Sequence, residues 1–310
     1  MRDPTSIVQI SGAGFSGTIA RDLSGQNALG AGFRPLVHEK FPSQNIYRDD
    51  AVGLNFEHIF NGAEADRDIS HATPRLDPRS VVSHSTSEAS IVHRAEDSSW
   101  RIDSEMRYNL ATPCSIDLTF SATLREDRYP LRYVALMWAS YMNRARERRI
   151  CFYGELEGRE GWITLGDDAK EQPEGFETGT VSATGVPDLP YEQGAETLNI
   201  VEHPRKKFTR PFYYGLIDGD GDLDTRDDTM VYVVMFDQIE PIRFALWNFS
   251  CDTDGNRDPH SPAWDWQYVI RDPVVNRQYG YRARVIYKPF VGRADVVREF
   301  ELWQSGLKSR

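Results

Sequence analysis

From about residue 80 onward, apolar and polar positions alternate in short runs, which is the two-residue period of pleated strands and not the longer period of helices. Runs rich in Val, Ile, Tyr, Phe, Trp and Thr are bounded by Gly, Pro, Asn or Asp. They predict strands at Ser80–Ser85, Ala89–His93, Trp100–Leu110, Cys114–Leu124, Tyr133–Tyr141, Arg149–Tyr153 and Gly161–Leu165. The series continues with Phe176–Thr184, Glu196–Glu202, Phe208–Ile217, Met230–Asp237, Arg243–Ser250, Ala263–Ile270 and Tyr279–Pro289. So many strands exceed what one open sheet commonly holds, so packed antiparallel sheets are expected. Between Trp100 and Tyr108, Trp100, Ile102, Met106 and Tyr108 share one face, and Arg101, Asp103, Glu105 and Arg107 share the other. Such a polar face fronts either solvent or a ligand groove. One helix is expected, Ala294–Trp303, with an apolar stripe of Val296, Val297, Phe300 and Trp303. The polar stretch Asp167–Gly175 reads as an exposed hairpin loop.

Composition narrows the partners. Lys+Arg 36 against Asp+Glu 47 gives 36 − 47 = −11, a net field that repels phosphate backbones, so nucleic acid is not an expected partner. Hydrophobic residues at 40% with 7 Trp, 14 Tyr and 15 Phe supply a large core and exclude disorder for most of the chain. Arg2, Asp3, Arg21 and Asp22 interrupt any apolar leader, and no run approaches a membrane span. A soluble, cytoplasmic protein with no membrane partner is therefore expected. The cysteines Cys114, Cys151 and Cys251 are odd in number and far apart, which argues against a disulfide framework.

Ser6–Ile10 followed by Gly12-Ala13-Gly14-Phe15-Ser16-Gly17 reads as a strand entering GxGxxG, the fingerprint of FAD- and NAD-binding oxidoreductases. That chemistry needs a long helix next, its N-terminus facing the pyrophosphate. Thr18–Leu23 offers less than two turns before Ser24-Gly25 and Asn27, and Pro35 interrupts the candidate second strand Phe33–His38, where Glu39 would meet the ribose. The context does not support a dinucleotide site, and no cofactor is expected.

Several clusters carry candidate chemistry. Asn55, Glu57 and His58 lie in the Gly-flanked segment Leu54–Gly62, where an imidazole serves as a general acid or base. Strict strand alternation would put Glu57 and His58 on opposite faces, and a structural His beside a surface Glu is the plain alternative. His203 sits among Glu202, Arg205, Lys206 and Lys207, which also reads as a solvated basic turn. Trp264, Trp266 and Tyr268 share one face of a strand, with Asp265 and Gln267 on the other, and Trp138, Tyr141 and Asn143 repeat the combination. Aromatic faces beside amide and acid groups suit a polyol ligand, although such rows also build cores. Asp218, Asp220, Asp222 and Asp224 form an alternating acid loop suited to calcium as a structural ion. Leu223 and Thr229 break the EF-hand register, and Asp is common in turns for backbone reasons. Asp252–Asp258 is a second such turn.

A mainly antiparallel, acidic, aromatic-rich chain of this length resembles the galactose mutarotase-like supersandwich of the aldose 1-epimerases. Asn55, His58, Phe60 and Asn61 look like a shortened form of the epimerase segment carrying Asn, His, an aromatic pair and Asn. Glu240-Pro241 looks like that family's late Glu-Pro. The resemblance implies an all-β antiparallel sandwich over residues 1–310 as a single domain, with N-terminal strands and loops over 1–50 and a C-terminal helix over 294–303. It also implies a saccharide ligand, His58 as the acid on the ring oxygen and Glu240 as the base on the anomeric hydroxyl, with His203 as the alternative acid. Asn55, Arg107, Trp138, Tyr141, Asn143, Asp265, Trp266 and Gln267 are the expected sugar contacts. A glycan lyase or hydrolase on the same fold, and a non-catalytic sugar-binding protein, are the competing functions. A lyase would pair a base with a cation, as in His203 with Arg205 or Glu105 with Arg107.

Overall fold

Alternation of apolar and polar residues leaves each strand with one face to bury, and three antiparallel sheets satisfy it. The computed structural model describes residues 7–20, 30–63, 73–166, 179–184, 189–195, 200, 203, 205–248, 258 and 260–308. Strands β1 (Ile7–Gly12), β2 (Phe15–Ala20), β3 (Phe33–His38) and β4 (Phe41–Asn45) form a four-stranded sheet in chain order. A five-stranded sheet runs β13 (Thr180–Ser182), β16 (Ile242–Trp247), β17 (Ala263–Arg271), β10 (Tyr133–Ala139), β5 (Asn55–Phe60). The largest sheet begins β12 (Arg159–Leu165), β11 (Ile150–Leu156), β14 (Lys206–Ile217), β15 (Met230–Phe236), β18 (Gln278–Pro289). It continues β9 (Ser115–Leu124), β8 (Ile102–Asn109), β7 (Glu88–His93) and β6 (Ser80–Ser83). An all-β antiparallel sandwich is thus what the chain forms.

The five- and nine-stranded sheets pack face to face through aromatic side chains. Trp138 stacks on Trp266 with ring centroids 5.7 Å apart and on Phe56 at 4.7 Å, and meets Phe120 of the opposite sheet edge-on at 4.7 Å. Trp266 donates its indole N–H to the Tyr281 hydroxyl at 2.8 Å, so even its polar atom is satisfied inside. Helix α1 (Arg293–Lys308), longer at its C-terminal end than the sequence pattern indicates, lays Val296, Phe300 and Trp303 on the outer face of β11, β14, β15 and β18.

The glycine motif near the N-terminus is a hairpin. Ala13 (φ 50°) and Gly14 (φ 90°) make the two-residue turn between β1 and β2, the doubly positive geometry that suits the strand twist. Gly12 is small because a Cβ would lie 2.6 Å from the Leu110 carbonyl oxygen, and Gly17 because one would lie 2.7 Å from the Phe33 ring. Thr18–Leu23 is therefore not a helical start in its described part: Thr18 and Ile19 lie in β2. Pro35 does not interrupt β3, since the β2–β3 ladder shifts register between Gly17 and Ile19 and leaves the proline outside the paired positions. The expected strand Glu196–Glu202 and the loop Asp167–Gly175 lie outside the described residues except for a buried Ile200. The second acid turn is likewise described only at Asp258. Cys114 and Cys151 are not joined by a disulfide, and Cys251 lies outside the described residues.

Candidate functional site

One outward face carries buried polar groups in an unusual concentration, and a register fault in β5 creates it. Met137 of β10 pairs with His58, but the next residue, Trp138, pairs with Phe56, so Glu57 is an extra residue bulged out of the ladder. A bulge cancels strand alternation locally and re-aims a side chain. Glu57 and His58 consequently come together, with His58 Nε2 3.8 Å from Glu57 Oε1. This overturns the expectation that alternation separates them.

Glu57 is fully buried. Its Oε1 accepts hydrogen bonds from Arg75 Nη1 and from the Tyr141 hydroxyl, the latter at 3.1 Å. Its Oε2 has no hydrogen-bond partner among the described residues. Arg75 reaches this point because Pro74 bridges to His58, bringing the segment after β5 back along the sheet edge. Burial lowers the Arg75 guanidinium from its ordinary value, and burial, followed by the nearby charge of Asp265, pushes the Tyr141 phenol up to about 12. A cation and a phenol on one oxygen hold the group as a carboxylate with its other oxygen available. His58 and Arg75 keep 11% and 18% of their side-chain surface exposed, against 1% for Glu57, so access runs along the β5 edge.

Behind this pair, one register row crosses the whole five-stranded sheet: His58, Met137, Gln267, Arg243 and Ser182. Arg243 is buried and donates to Gln267 Oε1 at 2.8 Å, to Thr180 Oγ1 at 2.5 Å and to the Ile200 carbonyl at 3.1 Å. One step along β17 on the same face lies Asp265, whose Oδ1 accepts the Ser140 N–H at 3.0 Å. Burial pushes Asp265 up to about 8, the single backbone hydrogen bond offsetting it in part. Near neutral pH it is an uncharged acid, on the same face as Glu57, whose partner is a guanidinium. A carboxyl group shifted in this way is a frequent mark of acid–base sites.

Of the sequence-level candidates, Tyr141, His58, Asp265 and Gln267 fall on this face. The others do not. Trp138 and Trp266 have no exposed surface and lie on the inner face, so their rings build the core and offer no sugar platform. Asn55 accepts the Ala31 N–H at 2.6 Å and fixes a loop. Asn143 donates to the Asn45 carbonyl at 3.0 Å, again backbone work. Glu240 is exposed on the β15–β16 turn, beyond the end of β16, and β16 stands three strand positions from β5, about 14 Å at the usual spacing. It is not the partner of His58. His203 is buried at the opposite edge of the sheet, its N–H donating to Thr180 of β13. Arg107 belongs to the other sheet, where it pairs with Glu88 at 2.7 Å. Arg205 turns its guanidinium to Glu157 on the surface and meets His203 only through its backbone N–H, at 3.4 Å, while Glu105 accepts from Ser90 and acts on Arg107 only through its charge, so neither lyase pair is a direct side-chain pair.

The acid loop is also otherwise engaged. Asp218, Asp220 and Asp228 bring carboxylate oxygens within 4.8 Å of one another, but Arg146 Nη2 already sits 3.0 Å from Asp218 and 2.7 Å from Asp228. Asp222 and Asp224 stand outside that cluster. Asp220 accepts the Asp222 N–H, and Asp222 accepts the Asp224 N–H, as in ordinary Asx turns. Any cation bound by Asp218 and Asp228 would share their carboxylates with this guanidinium.

Arg75 and Arg243 are the members that alternation and motif reasoning missed, and Glu57, named as a candidate, was expected to face away from His58. The available signal was a charged pair inside the otherwise apolar run Phe56–Phe60, all of it buried.

No protein-family profile and no curated protein matches the sequence. Among solved structures the chain is similar to a candidate aldose 1-epimerase from Escherichia coli K12, at 10% identity, TM-score 0.49, covering 92% of this chain and 99% of that one. It is similar to a galactose mutarotase related enzyme from Lactobacillus acidophilus, at 8% identity and TM-score 0.44, over 91% and 97% of the two chains. A GalM/aldose epimerase homologue from C. elegans is similar at 10% identity and TM-score 0.44, over 91% and 98%. Among the described residues no helix is long and apolar enough to cross a membrane.

Proposed function

We propose that the chain is a carbohydrate-active enzyme that opens and recloses the hemiacetal of a reducing sugar, with Glu57 as base in place of Glu240 and His58 as acid. The reading rests on one observation: a fully buried carboxylate with one oxygen held by Arg75 and Tyr141, the other without a hydrogen-bond partner among the described residues, and an imidazole 3.8 Å away.

The steps follow from those groups. Glu57 Oε2 takes the proton of the anomeric hydroxyl while His58, as imidazolium, gives a proton to the ring oxygen. The bond between C1 and the ring oxygen breaks, and the aldehyde rotates about the C1–C2 bond. Closure from the other face runs the same transfers backwards, returning both residues to their starting states. Asp265, uncharged, donates a hydrogen bond to a sugar hydroxyl. No cofactor enters any step.

Polarimetry of freshly dissolved α-D-galactose and α-D-glucose tests this. Equilibration is expected to run faster than in buffer alone, and Glu57→Gln to lower kcat by about 10²–10⁴ while the circular dichroism spectrum is unchanged. No acceleration with either sugar, or full activity in Glu57→Gln, would overturn the reading.

A further inference from the structure

The nine-stranded sheet carries a separate groove that the acid–base pair does not use. Helix α1 covers the outer face of β11, β14, β15 and β18 and stops there, leaving the outer face of β9, β8 and β7 open beside its flank. The resulting cleft has a volume of about 600 Å³, a size common for sites that take organic ligands.

Its floor is a ladder of polar side chains in register. One row is Arg107, Thr119 and Arg282, on β8, β9 and β18. The next is Asn109, Asp117 and Arg284 on the same strands. Each arginine is neutralised: Arg107 by Glu88 at 2.7 Å, Arg282 by Asp237 at 3.1 Å, and Arg284 by both oxygens of Asp117 at 2.6 and 2.8 Å. Arg107 and Arg282 bind their acids only through Nε, so their Nη groups carry no hydrogen bond among the described residues. These two forks stand two strand spacings apart, about 10 Å, with a hydroxyl between them. The wall is apolar, with Leu302 61% exposed, the edge of Trp303, and Leu307.

Gly306 adds an independent observation. It lies within α1 and lines the groove, where a glycine costs a helix about 1 kcal/mol relative to alanine. A Cβ there would touch nothing. The glycine thus leaves open space on the groove wall, room that a ligand lying along α1 would use.

We infer that this groove is a second saccharide site, taking a neutral oligosaccharide along β8, β9 and β18. Balanced charge gives an anionic or cationic ligand no net attraction. Guanidinium forks with free Nη groups, amide and hydroxyl groups bind hydroxyl pairs of a sugar ring, and its C–H face packs on Leu302 and Leu307. The site is remote from Glu57 and is independent of the proposed reaction.

The test titrates maltohexaose, cellohexaose and mannohexaose into the full-length chain labelled with nitrogen-15, following backbone N–H shifts. At least one is expected to bind with millimolar affinity, shifting signals of α1, β8, β9 and β18. Gly306→Met, which fills the cleft and favours the helix, is expected to weaken that binding by at least about tenfold, roughly 1.4 kcal/mol, with a melting temperature that does not fall. Undiminished binding in Gly306→Met, no shifts in this region at about 10 mM of any of the three sugars, or tighter binding of an oligogalacturonate would overturn the inference. Shifts confined to β5, β10 and β17 would overturn it too, while leaving the proposed reaction standing.

Discussion

The outward faces of the two main sheets carry the same kinds of side chain and treat them oppositely. On the five-stranded sheet, Glu57 meets Arg75 and Tyr141 with 1% of its side chain exposed. On the nine-stranded sheet, Glu88 meets Arg107 and Asn109 with the arginine side chain 44% exposed. Water solvates the second group at little cost, whereas the first loses most of its hydration and has one carboxylate oxygen without a partner among the described residues. A pair of this kind persists when its cost serves something beyond stability. Residue identity therefore says little about role here, and depth says much.

Breaking each acid–arginine pair puts that contrast to the test, and the deep pair gives the largest effect. Arg75→Ala strands a buried carboxylate, and urea unfolding is expected to report a loss of about 3–5 kcal/mol. Glu57→Gln with Arg75→Met removes both charges and is expected to recover most of it. Equal losses in the single and double variants would mean that the pair's geometry and not its charge carries the stability.

The next effect is in pH. Asp265 has an ordinary value of 3.8 in the unfolded chain and about 8 in the fold. Between those values the native state holds a proton that the unfolded state has released, so stability falls as pH rises through this window and levels off above about 8. The slope is at most about 1.4 kcal/mol per pH unit. Denaturation midpoints measured from pH 5 to 9 are expected to decline, and Asp265→Asn to flatten the decline. A wild-type midpoint that rises from pH 5 to 8 would show Asp265 to be ionised in the fold. On the nine-stranded sheet Glu88 behaves in the opposite sense, Arg107 holding it below its ordinary value.

Much of this architecture was legible from alternation alone. The row Trp100, Ile102, Met106, Tyr108 is buried, and its polar counterpart faces outward. Helix α1 was legible from its stripe, and the failure of the glycine motif from the missing helix. The site was legible in part: Tyr141, His58, Asp265 and Gln267 reach it, but the base does not follow from strand periodicity. A bulge is a tertiary event at one residue, and the sequence Asn55–Phe60 carries no glycine or proline to announce it. Trp138 and Trp266 misled for a related reason. An aromatic row looks the same whether it lines a groove or a core, and only the facing sheet, with Phe120 and Tyr281, decides.

The smallest expected effect belongs to Glu88 and Arg107. Both reach solvent, so ionic screening and side-chain entropy oppose the attraction between them. A double-mutant cycle with Glu88→Ala and Arg107→Ala is expected to give a coupling of about 0.2–1 kcal/mol, shrinking further at 1 M salt. The corresponding cycle on Glu57 and Arg75 is expected to be several times larger and nearly insensitive to salt, because a desolvated pair lies out of reach of counterions. If the two couplings proved equal and equally screened, the buried face would be wet in solution. Glu57 Oε2 would then be an ordinary hydrated oxygen, and the case for it as a base would rest on its nearness to His58 alone.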